Sequence, residues 1–295
     1  MGNVFIESTA VRRVGEGRYG AVIDPGWNLR PLPQGGVVTA TALRAMMDLL
    51  DEPSHRLRTL HTTFVGQVAD GEVDIDVELL RRSRSVSHLR AEVRNPGQAA
   101  GHVTTAVFGA TRRGFEFTDL EPPDPRPEPP ERCPSYRDEL PPEVAERLGA
   151  DFEPLPFWGR VEGRPAIGHA PWDDDYVPDR AERGAWSRMD DPPFLDDGTI
   201  DPLSLVVMAD MMPGAVDERV GPQPGNDWFA PSIDLTVHLL DECRSSWVFA
   251  HNRARFAGDG YASGDMALWD YGEACTDEPR LVAYATQLFL FSFLR

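Results

Sequence analysis

Lysine is absent from the sequence, so all 29 basic residues are arginine. That excludes Schiff-base chemistry on a lysine amine and the phosphate-binding lysine of a P-loop. Cysteine is scarce: Cys133, Cys243 and Cys275 are odd in number, widely spaced and form no CxxC pair. Neither a disulfide framework nor a metal site is expected. No apolar run reaches the roughly 18 residues that a membrane helix needs. The opening MGNVFIEST has neither the basic segment nor the apolar segment of a signal peptide, and Ile6 breaks the myristoylation pattern. A cytoplasmic protein with no membrane span is expected. A GxSxG elbow is also missing, which excludes a serine hydrolase of the α/β kind. Positive charge is in deficit. The net charge of −19 argues against a nucleic-acid partner, because a phosphate backbone is repelled by such a field. The deficit is uneven: residues 1–118 hold 14 arginines against 13 acids, leaving 15 against 35 beyond.

What is present divides into two similar parts. Residues 119–150 are dense in proline and charge, a composition that does not build a core and reads as an extended linker. Before it, in residues 1–118, Gly35-Gly36 open an apolar run, VVTATALRAMMDLL, with approximate helical periodicity, ending before Pro53. A strand beginning at Thr59-Leu60 and strand-like runs at 73–79, 87–94 and 101–110 follow, with connections short enough for an antiparallel sheet. After the linker, in residues 151–295, the order recurs. Pro202 to Met212 reads as a helix stopped by Pro213-Gly214, and strands follow at about 231–240, 246–257, 261–270 and 280–294. The chain therefore reads as a duplication.

Overlaying the halves by pattern sets Ala45 over Asp210, Thr59 over Ser232 and Ala106 over Gln287. Polar groups occupy these places in the second half, with only a threonine hydroxyl in the first. A carboxylate, a hydroxyl and an amide together can hold one water: Asp210 takes its proton, while Ser232 and Gln287 aim its lone pair at a carbonyl. No covalent intermediate is required.

At these residues the chain resembles the acyl-CoA thioesterase II family, known as TesB-like. Ala209-Asp210, an apolar stretch and Pro213 match the family's aspartate segment. Ser232-Ile233-Asp234 matches its threonine-Ile-Asp segment, with serine for threonine, and Thr286-Gln287 matches its last-strand glutamine. In the first half, Leu32-Pro33-Gln34-Gly35-Gly36 and Leu60-His61-Thr62-Thr63-Phe64 resemble the family's Tyr-Gly-Gly helix start and His-containing strand, with Pro33 and Gln34 as departures. The resemblance spans roughly residues 15–118 and 150–293. It implies an α+β double hotdog, two tandem units each with a central helix wrapped by an antiparallel β-sheet. It also implies an acyl-CoA substrate, no cofactor apart from the coenzyme A carried by that substrate, a catalytic set of Asp210, Ser232 and Gln287, and a homo-oligomer, dimer or tetramer. A binding protein that kept the fold without hydrolysis is the alternative. The Asp and His set of a hotdog hydratase is not found.

Other residues are candidates for substrate contacts. Gly35 and Gly36 offer helix-start N–H groups to a phosphate or a carbonyl oxygen, the developing oxyanion included. Arg81, Arg82 and Arg84 form the densest basic cluster, suited to the phosphates of coenzyme A. Met46, Met47, Met208, Met211 and Met212 could line an apolar acyl pocket. His61 and His88 have no carboxylate partner by spacing and stay outside the catalytic set, and the acidic run Trp172 to Asp175 reads as a solvated loop.

Overall fold

In the computed structural model, which describes residues 2–29, 31–139, 142, 155–169, 177–221 and 228–293, a short helix α1 (Val4–Ser8) and a hairpin of β1 (Arg12–Gly15) and β2 (Arg18–Ile23) lead to the long helix α2 (Gly35–Leu50). Four strands follow, β3 (Arg56–Phe64), β4 (Gly71–Arg82), β5 (Val86–Arg94) and β6 (His102–Gly109). The second half repeats this order: hairpin β7 (Val161–Ile167) and β8 (Glu182–Met189), then helix α3 (Pro202–Ala209) with a further helix α4 (Gly214–Val220). Its strands are β10 (Asp234–Leu239), β11 (Val248–Gly258), β12 (Tyr261–Asp270) and β13 (Arg280–Leu290), while β9 (Trp228–Phe229) and β14 (Ser292–Phe293) pair apart. The run 170–176, including the acidic Trp172 to Asp175, lies outside the described residues.

Twelve strands form one antiparallel sheet in the order β1-β2-β4-β5-β6-β3-β10-β13-β12-β11-β8-β7. The order reads the same from either end once each strand is replaced by its repeat. The halves meet where β3 pairs with β10, Leu60 opposite Val237. Helix α2 packs on β4, β5 and β6, helix α3 on β10, β12 and β13, and the two helices on each other. This is the double hotdog that the family resemblance implies, built on the duplication that the repeated helix and strands predict.

Helices α2 and α3 are apolar over most of their surface because sheet and neighbouring helix cover them, although α2 turns Met47 and Asp48 to solvent near its C-terminus. Along α2, residues 36–43 are all buried, and the helix ends with Asp51 in the left-handed conformation at φ 45°. α3 has Pro202 at its first turn and Asp201 as its N-cap, accepting the Leu203 N–H at 3.0 Å. It ends at Ala209, three residues before the expected Met212, and Gly214 opens α4 where a stop was expected.

Shared irregularities fix the correspondence of the halves. The register between β4 and β5 shifts at Leu79/Arg81, and that between β11 and β12 at Ala254/Phe256. Leu57 pairs with Phe108 just before the shift at Thr59, and Ser232 bridges Phe289 just before β10. Leu57, not Thr59, therefore answers to Ser232, while Ala106 does answer to Gln287. Aligning the helices by their N-caps, Gln34 and Asp201, places Leu43 rather than Ala45 at the position of Asp210. The errors of two residues arise because bulges and helix caps leave no composition signature.

The proline-rich stretch is also more than a spacer. Val248 and Leu268 belong to the main core, whereas Phe249 and Trp269 beside them belong to a second cluster, so alternation puts the latter on the opposite sheet face. Cys133, Trp186 and Tyr271 join that cluster, Trp186 Nε1 donates to Glu128 O at 2.7 Å, and Arg164 donates to Pro130 O and Cys133 O. Part of the expected linker thus covers aromatic side chains that would otherwise face water.

Candidate active site

Asp210 lies at the point where α3 leaves helical geometry, φ −89° and ψ 48°, with 8% of its surface exposed. Its carboxylate faces the N-terminus of α2. Asp210 Oδ2 accepts the Gly36 N–H at 2.8 Å, a site where the helix macrodipole favours negative charge. Gln287, pointing inward from β13 and 2% exposed, donates Nε2–H to Asp210 Oδ1 at 2.5 Å and to Ser232 Oγ at 2.9 Å. Ser232, in the bridge ahead of β10, donates Oγ–H to Asp210 Oδ1 at 3.4 Å. Three residues separated by 22 and 55 positions thus share one hydrogen-bonded cluster.

Burial pushes the Asp210 carboxyl up from its ordinary 3.8 to about 6. Hydrogen bonds from Gln287, the Gly36 N–H, Ser232 and the Gly35 N–H oppose the rise without cancelling it. A carboxylate of that proton affinity is well matched to accepting a proton near neutrality. Gln287 Oε1 is buried and has no partner among the described residues. It is an open acceptor beside the carboxylate, so a water hydrogen-bonded to both would have its oxygen lone pair directed away from them.

Both halves of the chain build the site. A β-carbon on Gly35 would lie 2.8 Å from Asp210 Oδ2 and from the Phe64 ring of β3, and one on Gly36 would lie 2.7 Å from Val206 O. Only glycine allows this approach of α2 to α3. The Gly36 N–H is given to Asp210 and the Val37 N–H to Gln34, so in this structure these two donors serve the carboxylate and the helix cap.

The arginine cluster is not brought to this site. Arg82 donates to Leu50 O and Glu52, and Arg84 O accepts from His55 Nε2, all at the C-terminal end of α2. Sixteen residues of helix place them about 24 Å from the Asp210 end. Of the methionines, Met46, Met208 and Met212 are buried, Met211 is partly buried, and Met47 is 41% exposed. Met212 lies against Gly264 of β12, next to Gln287 in the sheet. His61 bonds Thr236 and Thr63 on the exposed face.

Sequence reasoning missed Asn252, a buried amide in β11 whose Nδ2 donates to Met211 O and Met212 O, fixing the turn after Asp210. A single amide within the apolar run VFAHN was its only signal.

A central helix wrapped by antiparallel sheet, in duplicate, with a carboxylate, hydroxyl and amide meeting at one helix end, defines a double hotdog protein with a polar site among its described residues. Models of the acyl-CoA thioesterase N-terminal and C-terminal domains match residues 23–109 and 130–291, and the chain belongs to this acyl-CoA thioesterase family. No curated protein matches it. Among solved structures, a hot dog fold protein of unknown function from Alicyclobacillus acidocaldarius is 22% identical with TM-score 0.75, covering 99% of both chains. A putative thioesterase II from Thermobifida fusca is 21% identical with TM-score 0.75, covering 99% of this chain and 98% of that one. An acyl-CoA thioesterase II from Mycobacterium marinum is 17% identical with TM-score 0.72, covering 99% of both.

Proposed function

We propose that the protein hydrolyses acyl-CoA thioesters to free acid and coenzyme A, with Asp210 as general base. The observation that carries this reading is the convergence of Ser232 and Gln287 on a buried carboxylate whose proton affinity is raised to about 6. Water bound at Asp210 and at Gln287 Oε1 attacks the thioester carbon. Its proton passes to Asp210, the carbon–sulfur bond breaks, and the departing thiolate takes the proton back. Ser232 and the Gln287 amide hold the carboxylate in place. No cofactor takes part, since coenzyme A belongs to the substrate. A soluble, cytoplasmic homo-oligomer, dimer or tetramer, is part of the same proposal.

A panel of acyl-CoA esters of graded length, assayed for free thiol, tests it. Turnover on at least one ester is expected. The long Ser232 to Asp210 bond, 3.4 Å, favours a second reading, an acyl-CoA binding protein without hydrolysis. Tight binding of the same esters with no thiol released would establish that reading and overturn the first.

A further inference from the structure

Two helix ends meet at Asp210, and helix ends carry opposite needs. The N-terminus of α2 has N–H groups without acceptors, and the C-terminus of α3 has carbonyls without donors. Gln34 meets both. It is 2% exposed; its Oε1 accepts the Val37 N–H at 3.0 Å, and its Nε2 donates to Val207 O at 2.9 Å and Asp210 O at 3.1 Å. An amide is the side chain that can accept from one helix and donate to the other. Its own backbone is anchored too, with Gln34 N–H on Trp27 O at 3.0 Å and Trp27 buried against Phe5 and Phe157.

We propose that Gln34 is a positioning residue that bolts the start of α2 to the end of α3 and thereby sets the N–H groups of Gly35 and Gly36 on the Asp210 carboxylate. The glycines alone do not do this. They permit the approach of the helices, but a contact between backbone and β-carbon-free backbone has no preferred depth or angle. The three bonds of Gln34 supply both, and they tie the carbonyl of Asp210 itself to the cap of the opposite helix. The role deepens the proposed reaction and rests on it only in taking Asp210 as the base.

Among the described residues, the groups facing the Asp210 carboxyl are neutral: Gly35 and Gly36 from α2, Phe64 from β3, Ser232 ahead of β10 and Gln287 from β13, with the neutral amide of Asn252 behind the turn. Its proton affinity is therefore set by burial against hydrogen bonds, and loosening the two N–H donors moves it upward.

The test is a titration of Asp210 in protein carrying carboxyl-¹³C aspartate, the signal being identified by its loss in Asp210→Asn. Gln34→Ser keeps an N-cap for α2 and removes the tie to α3; Gln34→Met removes both. In native protein the signal is expected to titrate near 6. In both variants the midpoint is expected to rise by at least about half a unit, a threefold change in proton affinity. The acid limb of kcat/KM should move by the same amount. A lower melting temperature with an unmoved midpoint in Gln34→Ser would overturn the proposal and leave Gln34 a cap only. Should native protein release no thiol, the proposed reaction fails, and the titration still judges Gln34.

Discussion

A buried carboxylate that is held ready for a proton works against the stability of its own fold, and Asp210 shows the balance. Its folded value of about 6 lies above the ordinary 3.8. The favourable contribution of the protonated form is complete below pH 3.8 and is lost as pH rises to about 6, so at pH 8 the ionised carboxylate destabilises the fold by up to about 3 kcal/mol. Asp210→Asn is therefore expected to melt higher than native protein at pH 8 and nearly level with it at pH 4, measured by thermal unfolding at the two pH values. An equal difference at both would contradict the assigned shift. Ser232→Ala removes one donor to a charged oxygen and is expected to lower kcat roughly tenfold, about 1.5 kcal/mol, while Ser232→Thr, whose methyl narrows the rotamer choice, is expected to keep or raise it. Asp210 and Gln287 were legible in the sequence because each interrupts an apolar run, and Ser232 because it opens a strand in a segment that resembles the family's. Their partners were not: Gly36 and Gln34 act on Asp210 across more than 170 residues, and no local pattern records such a contact.

Among the elements, the helices were readable and their ends were not. The run from Pro202 to Met212 has helical composition throughout, yet the helix stops at Ala209, where Asp210 turns its carboxylate to α2, Gln34 takes the carbonyls of Val207 and Asp210, and Asn252 takes those of Met211 and Met212. The termination is imposed by other segments. Where α2 passes α3, Gly36→Ala would put a β-carbon 2.9 Å from Val207 Cα. That change is expected to lower stability by about 1–3 kcal/mol, read by denaturant unfolding, and to lower turnover with it. At the other helix junction the Arg44 guanidinium pairs with Asp201, the N-cap of α3, which is 1% exposed. Arg44→Ala leaves that carboxylate buried and unpaired and is expected to cost about 3–5 kcal/mol. Combining it with Asp201→Ser, which retains a cap and removes the charge, is expected to restore much of the loss.

For the molecule as a whole, duplication gives one polar site and one apolar mate. The positions answering to Asp210, Ser232 and Gln287 are Leu43, Leu57 and Ala106, all buried. Beside that mate, at the far end of α2, lies a cavity of about 530 Å³ with Met47, Leu57, Phe108 and Leu205 in its wall. The duplication itself was legible from the repeated helix and strands, whereas its register was not, since the bulges that fix it follow from strand pairing. The role of residues 128–133 against the outer aromatic cluster was hidden for a similar reason: a proline-rich composition describes a segment that builds no core of its own, and says nothing of a core it covers. Taken with the proposed function, this asymmetry predicts one reacting site per chain, with turnover passing through Asp210. The direct measurement is acyl-CoA hydrolysis by Asp210→Asn beside native protein at pH 8, with folding of the variant verified by its melting. A loss of about a hundredfold to ten-thousandfold is predicted; an undiminished rate would contradict the account.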